Sequence, residues 1–354
     1  MISKIIFKKI RIGMKKPFRI FLGSSDVYEG FIVKVETDDG YQGYGEAVPT
    51  PYITGDTLGS INEELEGIST IIKGMDLSTE AIDERIRRAF RSSRASRAAI
   101  DMAIWDIIGK RANMPVYRIL GNYRESIRTS YTVDLVDPQY ASEMASSFLS
   151  QGVKVFKIKM GSGIEKDVER VKVVRETVGD DKMVYVDFNQ AYSAKMALRV
   201  IEKIEKYNIE FVEQPVPAHS LQDLKFVRNS SPIPVMGDEA IFSIYDASRV
   251  ISMEAVDLIN VKLMKAGGIT EAIKIIDLAE SYNIPVMVGC MVETSLALSA
   301  GLSVALGKRN VKYADLDGNT SLLEDVSTEG FVFKEGELSF TGLPGLGIKM
   351  KEIL

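Results

Sequence analysis

Asp187, Glu213 and Asp238 each close a short apolar run, and Lys262 closes the next, at intervals of 26, 25 and 24 residues. Three carboxylates brought to one place repel one another unless a hard divalent cation lies between them, and oxygen-only ligands with room for water and substrate suit Mg²⁺. A soft-ligand centre is excluded, because the chain has one cysteine, Cys290, and one histidine, His219. Lysines flank the acids in sequence, Lys157 and Lys159 before them and Lys262 after. Alternation along a strand sends Lys157 and Lys159 to the same side, which the pattern assigns to the interior. A solvated lysine, with a pKa near ~10.4, is a poor base at neutrality. A neighbouring ammonium and a nearby metal are expected to lower that value by favouring the neutral form. Lysines on opposite faces of a metal-bound carboxylate could then take an α-proton from one side and return one from the other.

The runs that carry these residues are VFKIKM, MVYVDFNQ, IEFVEQP, IPVMGDE, VDLINVK, IPVMVGC and VKYADLD, with amphipathic helical segments such as ERVKVVRETV between them. Each run ends in polar candidates: Lys157 and Lys159, Asp187 and Asn189, Glu213 and Gln214, Asp238 and Glu239, Lys262, Cys290 with Glu293, and Asp315 with Asp317. Any one of these could simply mark where a strand meets its loop, but seven in succession, sorted by sign, point to a common mouth. Apolar strands of this kind need both faces covered, so the repeat predicts an α/β fold, a (β/α)7β TIM-like barrel over residues 122–324. A doubly wound sheet is the runner-up, and it lacks a Gly-rich phosphate fingerprint, GSG at 161–163 having no third glycine at the right spacing.

Residues 1–121 read as an α+β capping domain. It carries a hairpin over 31–46 turned at Asp39-Gly40, and helical spacing over 61–73 and over the Ala-rich stretch 94–110. The Gly-rich, strand-like segment 325–354 is expected to return to that domain. His219 reads as a loop residue, Cys290 as a small apolar side chain and Trp105 as core.

With 44 basic against 49 acidic residues, the net charge of −5 leaves no basic field for nucleic acid. No stretch approaches the ~18 uninterrupted apolar residues of a membrane span, and charges interrupt the N-terminus too often for a signal peptide. A cytoplasmic homo-oligomer acting on a small molecule is the expectation.

These residues in this order resemble the enolase superfamily and its muconate-lactonizing-enzyme subgroup. The likeness runs through GYGEA at 43–47, AAIDMAIWDIIGK at 98–110, KIKMG at 157–161, VDFNQAY at 186–192, VEQPV at 212–216, GDEA at 237–240 and INVKLMKAGGI at 259–269. The resemblance implies that Asp187, Glu213 and Asp238 hold Mg²⁺, that Lys159 and Lys262 are the acid/base pair, and that Lys157 stabilises an enediolate. Within the subgroup the chain is most similar to the dipeptide epimerases, which perform a 1,1-proton transfer at the α-carbon of the dipeptide's C-terminal residue. That likeness implies that Asp315 and Asp317 of YADLDG bind the dipeptide's ammonium and that Thr132 of SYTVDL is substrate-side. An N-acylamino-acid racemase, an o-succinylbenzoate synthase or a muconate cycloisomerase of the same subgroup is the alternative. A barrel that binds without turnover is the reading from another class, and two acid/base lysines argue against it.

In PFRIFLGSS, Gly23 stands where the Ala-Glu epimerases carry an arginine for the glutamate carboxylate. An uncharged or apolar C-terminal residue is therefore expected to be preferred. Phe21 and Tyr52 are expected in the loops that cap the mouth, with Lys15, Lys16 and Arg19 as the cations nearest to it.

Overall fold

The computed structural model describes residues 1–352; positions 353 and 354 of the predicted 325–354 segment lie outside the described residues. The chain begins with a three-stranded antiparallel sheet of β1 (Ile2–Ile20), β2 (Gly23–Thr37) and β3 (Gln42–Ala47), turned between β2 and β3 at Gly40, whose φ is +86°. Helices α1 (Leu58–Ile71), α2 (Thr79–Ala89), α3 (Arg94–Arg111) and α4 (Val116–Ile119) follow. Thr57 and Ser60 start α1 with reciprocal capping bonds. Sequence reasoning did not foresee α2, whose TEAIDERIRRA buries only Ile82, Asp83 and Ile86.

The Ala-rich stretch lets α3 lie directly on β3. A Cβ at Gly45 would stand 1.9 Å from the Ala99 carbonyl oxygen, and one at Gly43 2.0 Å from that of Ala103. Only glycine permits that backbone approach.

After β4 (Ser126–Arg128) come β5 (Ser130–Val133), α5 (Pro138–Ser150), β6 (Val155–Lys159), α6 (Ile164–Val178), β7 (Met183–Asp187) and α7 (Ala194–Ile204). They are followed by β8 (Val212–Glu213), α8 (Leu221–Ser230), β9 (Val235–Gly237), α9 (Ile244–Ser252) and β10 (Leu258–Lys262). The series continues through α10 (Leu263–Ala266), α11 (Ile269–Ser281), β11 (Val286–Gly289), α12 (Ser295–Gly307) and β12 (Val311–Asp315). Strands β5 to β12 form one parallel sheet in sequential order. Its edges meet at a single bridge, Thr129 with Ala314, reinforced by the Leu316 N–H donating to Thr129 Oγ1 at 2.9 Å. That near-closed barrel removes the doubly wound alternative.

The last described strands are β13 (Ser327–Glu329), β14 (Phe331–Lys334), β15 (Glu337–Phe340) and β16 (Lys349–Met350). Strand β15 pairs with β4, just before the first barrel strand, while the Leu346 N–H donates to Asp106 of α3 at 2.9 Å.

Helix α3 also docks the first domain onto the barrel through one face. Arg94 donates to the carbonyls of Phe242 (2.8 Å) and Lys265 (2.9 Å), and Arg97 to that of Ala266 (2.8 Å). Asp101 accepts the Thr270 N–H at 3.0 Å, and Trp105 donates to the Thr270 hydroxyl at 3.0 Å. Trp105 is thus a half-buried seam residue with a polar task, besides packing on the core.

Candidate active site

The ladder register sets the level of the charges. Lys159 pairs across to Asp187, and Asp187 to Glu213, so β6, β7 and β8 end together. Below them Val155, Tyr185, Phe211, Met236, Leu258 and Met287 fill the interior as a separate apolar cluster. Above it the interior is ionic. The Lys157 ammonium lies 2.7 Å from Asp315, 2.9 Å from Glu213 and 3.1 Å from Asp187. Lys159 stands 2.7 Å from Asp187, and Lys262 2.8 Å from Asp238. All seven of these side chains are buried.

Several polar groups aim this set. Left-handed Gln214 (φ 36°) breaks β8 sharply, and its side-chain amide oxygen Oε1 accepts the Asp238 and Ala240 N–H groups at 2.9 and 3.1 Å. Asn260 donates to Glu213 at 2.6 Å, and the Asn189 N–H to Asp187 at 2.9 Å. Lys265, fully buried, holds Asp238 through its carboxylate and its carbonyl and also reaches the carbonyls of Ile241 and Asn260 at 3.1 Å. Ser130 donates to Asp315 at 2.7 Å and lies 2.8 Å from the Tyr185 hydroxyl. Sequence reasoning missed Ser130, Tyr185, Asn260 and Lys265. The one available signal was a lysine inside the otherwise apolar LMKAGGI turn.

Electrostatics differ from the expectation for the lysines. Burial alone lowers the Lys157 ammonium, but Asp187, Asp315 and Glu213 outweigh it and hold it well above the usual range. Lys262 is likewise raised against its burial, chiefly by Asp238. The sequence expectation of lowered lysines counted neighbouring cations and not the carboxylates they face. Asp187 and Asp238 are held low, against burial, by the lysines beside them. Glu213 is pushed up by burial and by Asp187, and Glu239 by burial and by Asp238.

The donor set suits a hard cation. Glu213 Oε2 and Asp238 Oδ1 are buried without a hydrogen-bond partner among the described residues, although ammonium groups lie within ion-pair reach. As placed, no three acidic, histidine or cysteine side chains among the described residues stand at metal-ligand spacing. Lysine ammonium groups lie between the acids, as cations must where three carboxylates meet.

A cavity of about 610 Å³ opens over the network between barrel and cap. Lys157, Lys159, Lys262, Asp315, Asp317 and Thr132 line it, as do Tyr52, Ile20 and Cys290. Asp317 accepts the Thr132 N–H at 2.7 Å. Gly23 lies at the start of β2, where a Cβ would stand 3.4 Å from the Tyr52 ring. Phe21 does not line the cavity; it packs over Gly161 and is half exposed. Lys15 and Lys16 do line it, whereas Arg19 does not. His219 is an exposed loop residue and Cys290 is buried. No helix among the described residues is long and apolar enough to cross a membrane.

Comparison with known proteins gives the family and agrees with the fold. Residues 2–121 match the mandelate racemase / muconate lactonizing enzyme N-terminal domain, and residues 139–354 match the enolase C-terminal domain-like family. An L-Ala-D/L-Glu epimerase of Clostridium acetobutylicum is 36% identical, with 98% of each chain aligned. A hydrophobic dipeptide epimerase of Enterococcus faecalis is 37% identical over 98% of this chain and 99% of that protein. The crystal structure of the Enterococcus faecalis dipeptide epimerase, complexed with Mg and the dipeptide L-Leu-L-Tyr, superposes with a TM-score of 0.96 at 36% identity, covering 98% and 99% of the two chains.

Proposed function

Because the chain belongs to the mandelate racemase / muconate lactonizing enzyme family of the enolase superfamily, and its relatives are epimerases and racemases, we propose that it is a Mg²⁺-dependent dipeptide epimerase. The observation that carries this reading is the order of strand ends around the mouth. Lysines on β6 and β10 flank three consecutive acidic ends on β7, β8 and at Asp238 after β9. In this reading Asp187, Glu213 and Asp238 hold the cation. Bound there, Mg²⁺ supplies the positive charge that makes the α-proton of a coordinated carboxylate substrate acidic.

The chain's own groups do the rest. Lys159 Nζ faces the α-carbon of the dipeptide's C-terminal residue from one side and Lys262 Nζ from the other. One removes the proton while the other returns one, which inverts the centre. With a cation held by Asp187, Glu213 and Asp238, less of the carboxylates' negative field would bear on Lys262. Lys157, beside Asp187 and Glu213, stabilises negative charge developing on the substrate carboxylate. Asp317 receives the dipeptide's ammonium, with Thr132 fixing its carboxylate. Asp315, engaged by Lys157 and Ser130, supports that charge from behind.

The C-terminal side chain lies under the cap, whose wall includes Ile20, Val27, Tyr52, Ile53 and Leu58. Lys15 and Lys16 line the cavity but are engaged by the Thr320 carbonyl and the Tyr140 ring, so a second carboxylate there keeps its desolvation cost and residues such as Leu, Phe or Met are preferred to Glu. Incubation of dipeptide mixtures with Mg²⁺ in deuterium oxide, read by mass spectrometry, tests the activity. Deuterium enters the C-terminal α-position, and absence of exchange in every dipeptide would defeat the reading. A higher kcat/KM for Ala-Glu than for Ala-Leu would overturn the apolar preference alone.

A further inference from the structure

The barrel has eight strands, but among the described residues β12 is not followed by an outer helix that seals it against β5. Above the single Thr129–Ala314 bridge, the cavity spreads sideways over the outer face of β5 toward α5. Tyr131, Met144 and Phe148 form the apolar wall of this side chamber, Ser147 lies on its α5 side, and Asp134 and Asp317 stand at the β5 and β12 ends.

Two polar groups of the chamber have no partner. Tyr131 is only 8% exposed, its ring packed on Phe148 and Phe333, and no hydrogen bond reaches its hydroxyl among the described residues. The Asp134 carboxylate likewise has neither a hydrogen bond nor an ion pair among the described residues, although it follows directly on β5 at the cavity wall. Three cations act on it without reaching ion-pair distance: Lys159, held by Asp187 at 2.7 Å, Lys16, 4.8 Å above the Tyr140 ring, and Arg19, which does not line the cavity; Lys15 donates to the Thr320 carbonyl at 2.9 Å. Elsewhere in the cavity, Asp315 is matched by Lys157 and Glu29 by Lys9. Burial and the charge of Asp317 push Asp134 up to about 7 and Tyr131 up to about 12, the direction an entering cation would reverse.

We propose that this chamber receives a long cationic side chain on the N-terminal residue of the substrate, its stem along Tyr131, Met144 and Phe148 and its charge on Asp134. The assignment rests on the dipeptide reading and deepens it. Asp317 takes the α-ammonium, and a substrate with a second positive charge needs a second uncommitted carboxylate, which Asp134 provides. A lysine- or arginine-like stem has the apolar length that an aromatic wall accepts, whereas a glutamate-like side chain would meet two acids.

The test compares dipeptides that differ only in that charge, Lys-Leu against norleucyl-Leu, by deuterium exchange in the holoenzyme. The native protein should favour Lys-Leu by about tenfold or more in kcat/KM. The isosteric Asp134→Asn should collapse that ratio, and Ser147→Lys, which places a cation in the chamber, should lower it as well. A native ratio near one, or a ratio unmoved by Asp134→Asn, overturns the chamber assignment while leaving the epimerase reading intact. Absence of exchange with every dipeptide removes both.

Discussion

The floor and the mouth of the barrel are built by the same strands, yet they obey different rules. On β7, Tyr185 faces the floor and Asp187 the mouth, two residues apart on one side of one strand. The floor is an apolar cluster in which Tyr185 lies 4.4 Å from Phe211 between ring centroids. The mouth packs lysines against carboxylates at 2.7 to 3.1 Å with almost no exposure. Burying apolar rings stabilises a fold outright, whereas burying charge costs about as much desolvation as pairing returns. The ionic layer is therefore explained by what it does and the apolar one by what it holds up.

That division can be broken most sharply at the lysines. Lys159→Ala and Lys262→Ala should each cut epimerisation by ~10²–10⁴-fold, with circular dichroism unchanged. Either single variant should still exchange the α-proton of one substrate epimer through the remaining lysine. Normal epimerisation in both variants would remove the two-base assignment. Excess chelator should abolish turnover and added Mg²⁺ restore it, and Asp238→Asn should lose the thermal stabilisation that Mg²⁺ gives the native protein. Turnover unaffected by chelation would remove the metal from the mouth.

At the floor the signature reverses. Phe211→Ala should cost ~3–5 kcal/mol in denaturant unfolding while leaving kcat near native at a temperature where the variant is folded. A catalytic loss larger than the stability loss would mean the layers are not separable. The smallest effect belongs to the border. Tyr185→Phe removes the hydroxyl that meets Ser130, and should cost ~0.5–1.5 kcal/mol with a modest fall in kcat. Activity falling by orders of magnitude would move the border one layer down.

Much of the mouth was legible because a charge that terminates an apolar run is visible in one dimension. Asp187, Glu213, Lys262 and Asp315 stand where their runs end, and Asp238 one residue after. Strand β5 was harder, since Ser130 and Thr132 point inward and no apolar run announces it. The first strand, ISKIIFKKIRIGMKKPFRI, mixes isoleucine and lysine without clean alternation, and its 19 residues emerge only from pairing with β2. Lys265 and Gln214 act on backbone groups of β9 and its loop, partners that only the closed barrel brings near. The lysine charge state failed for a similar reason. Lys157 meets Asp315, which lies 158 residues away, and no local reading could weigh that field.

The buried Asp106 carboxylate is shared by the chain's early and late residues, accepting from the Tyr44 N–H, the Lys110 ammonium and the Leu346 N–H. Glu46 of β3 similarly accepts the N–H groups of Thr294 and Ala297 at the start of α12. Contacts spanning some 240 residues make the first domain dependent on a segment far along the chain. Without those later residues Asp106 keeps only its Tyr44 and Lys110 partners, and Glu46 lacks the Thr294 and Ala297 N–H groups. Unfolding should accordingly be one cooperative transition, and a chain cut after residue 324 should yield a cap that proteases open before the barrel. Residues early in this chain are thus completed by residues late in it.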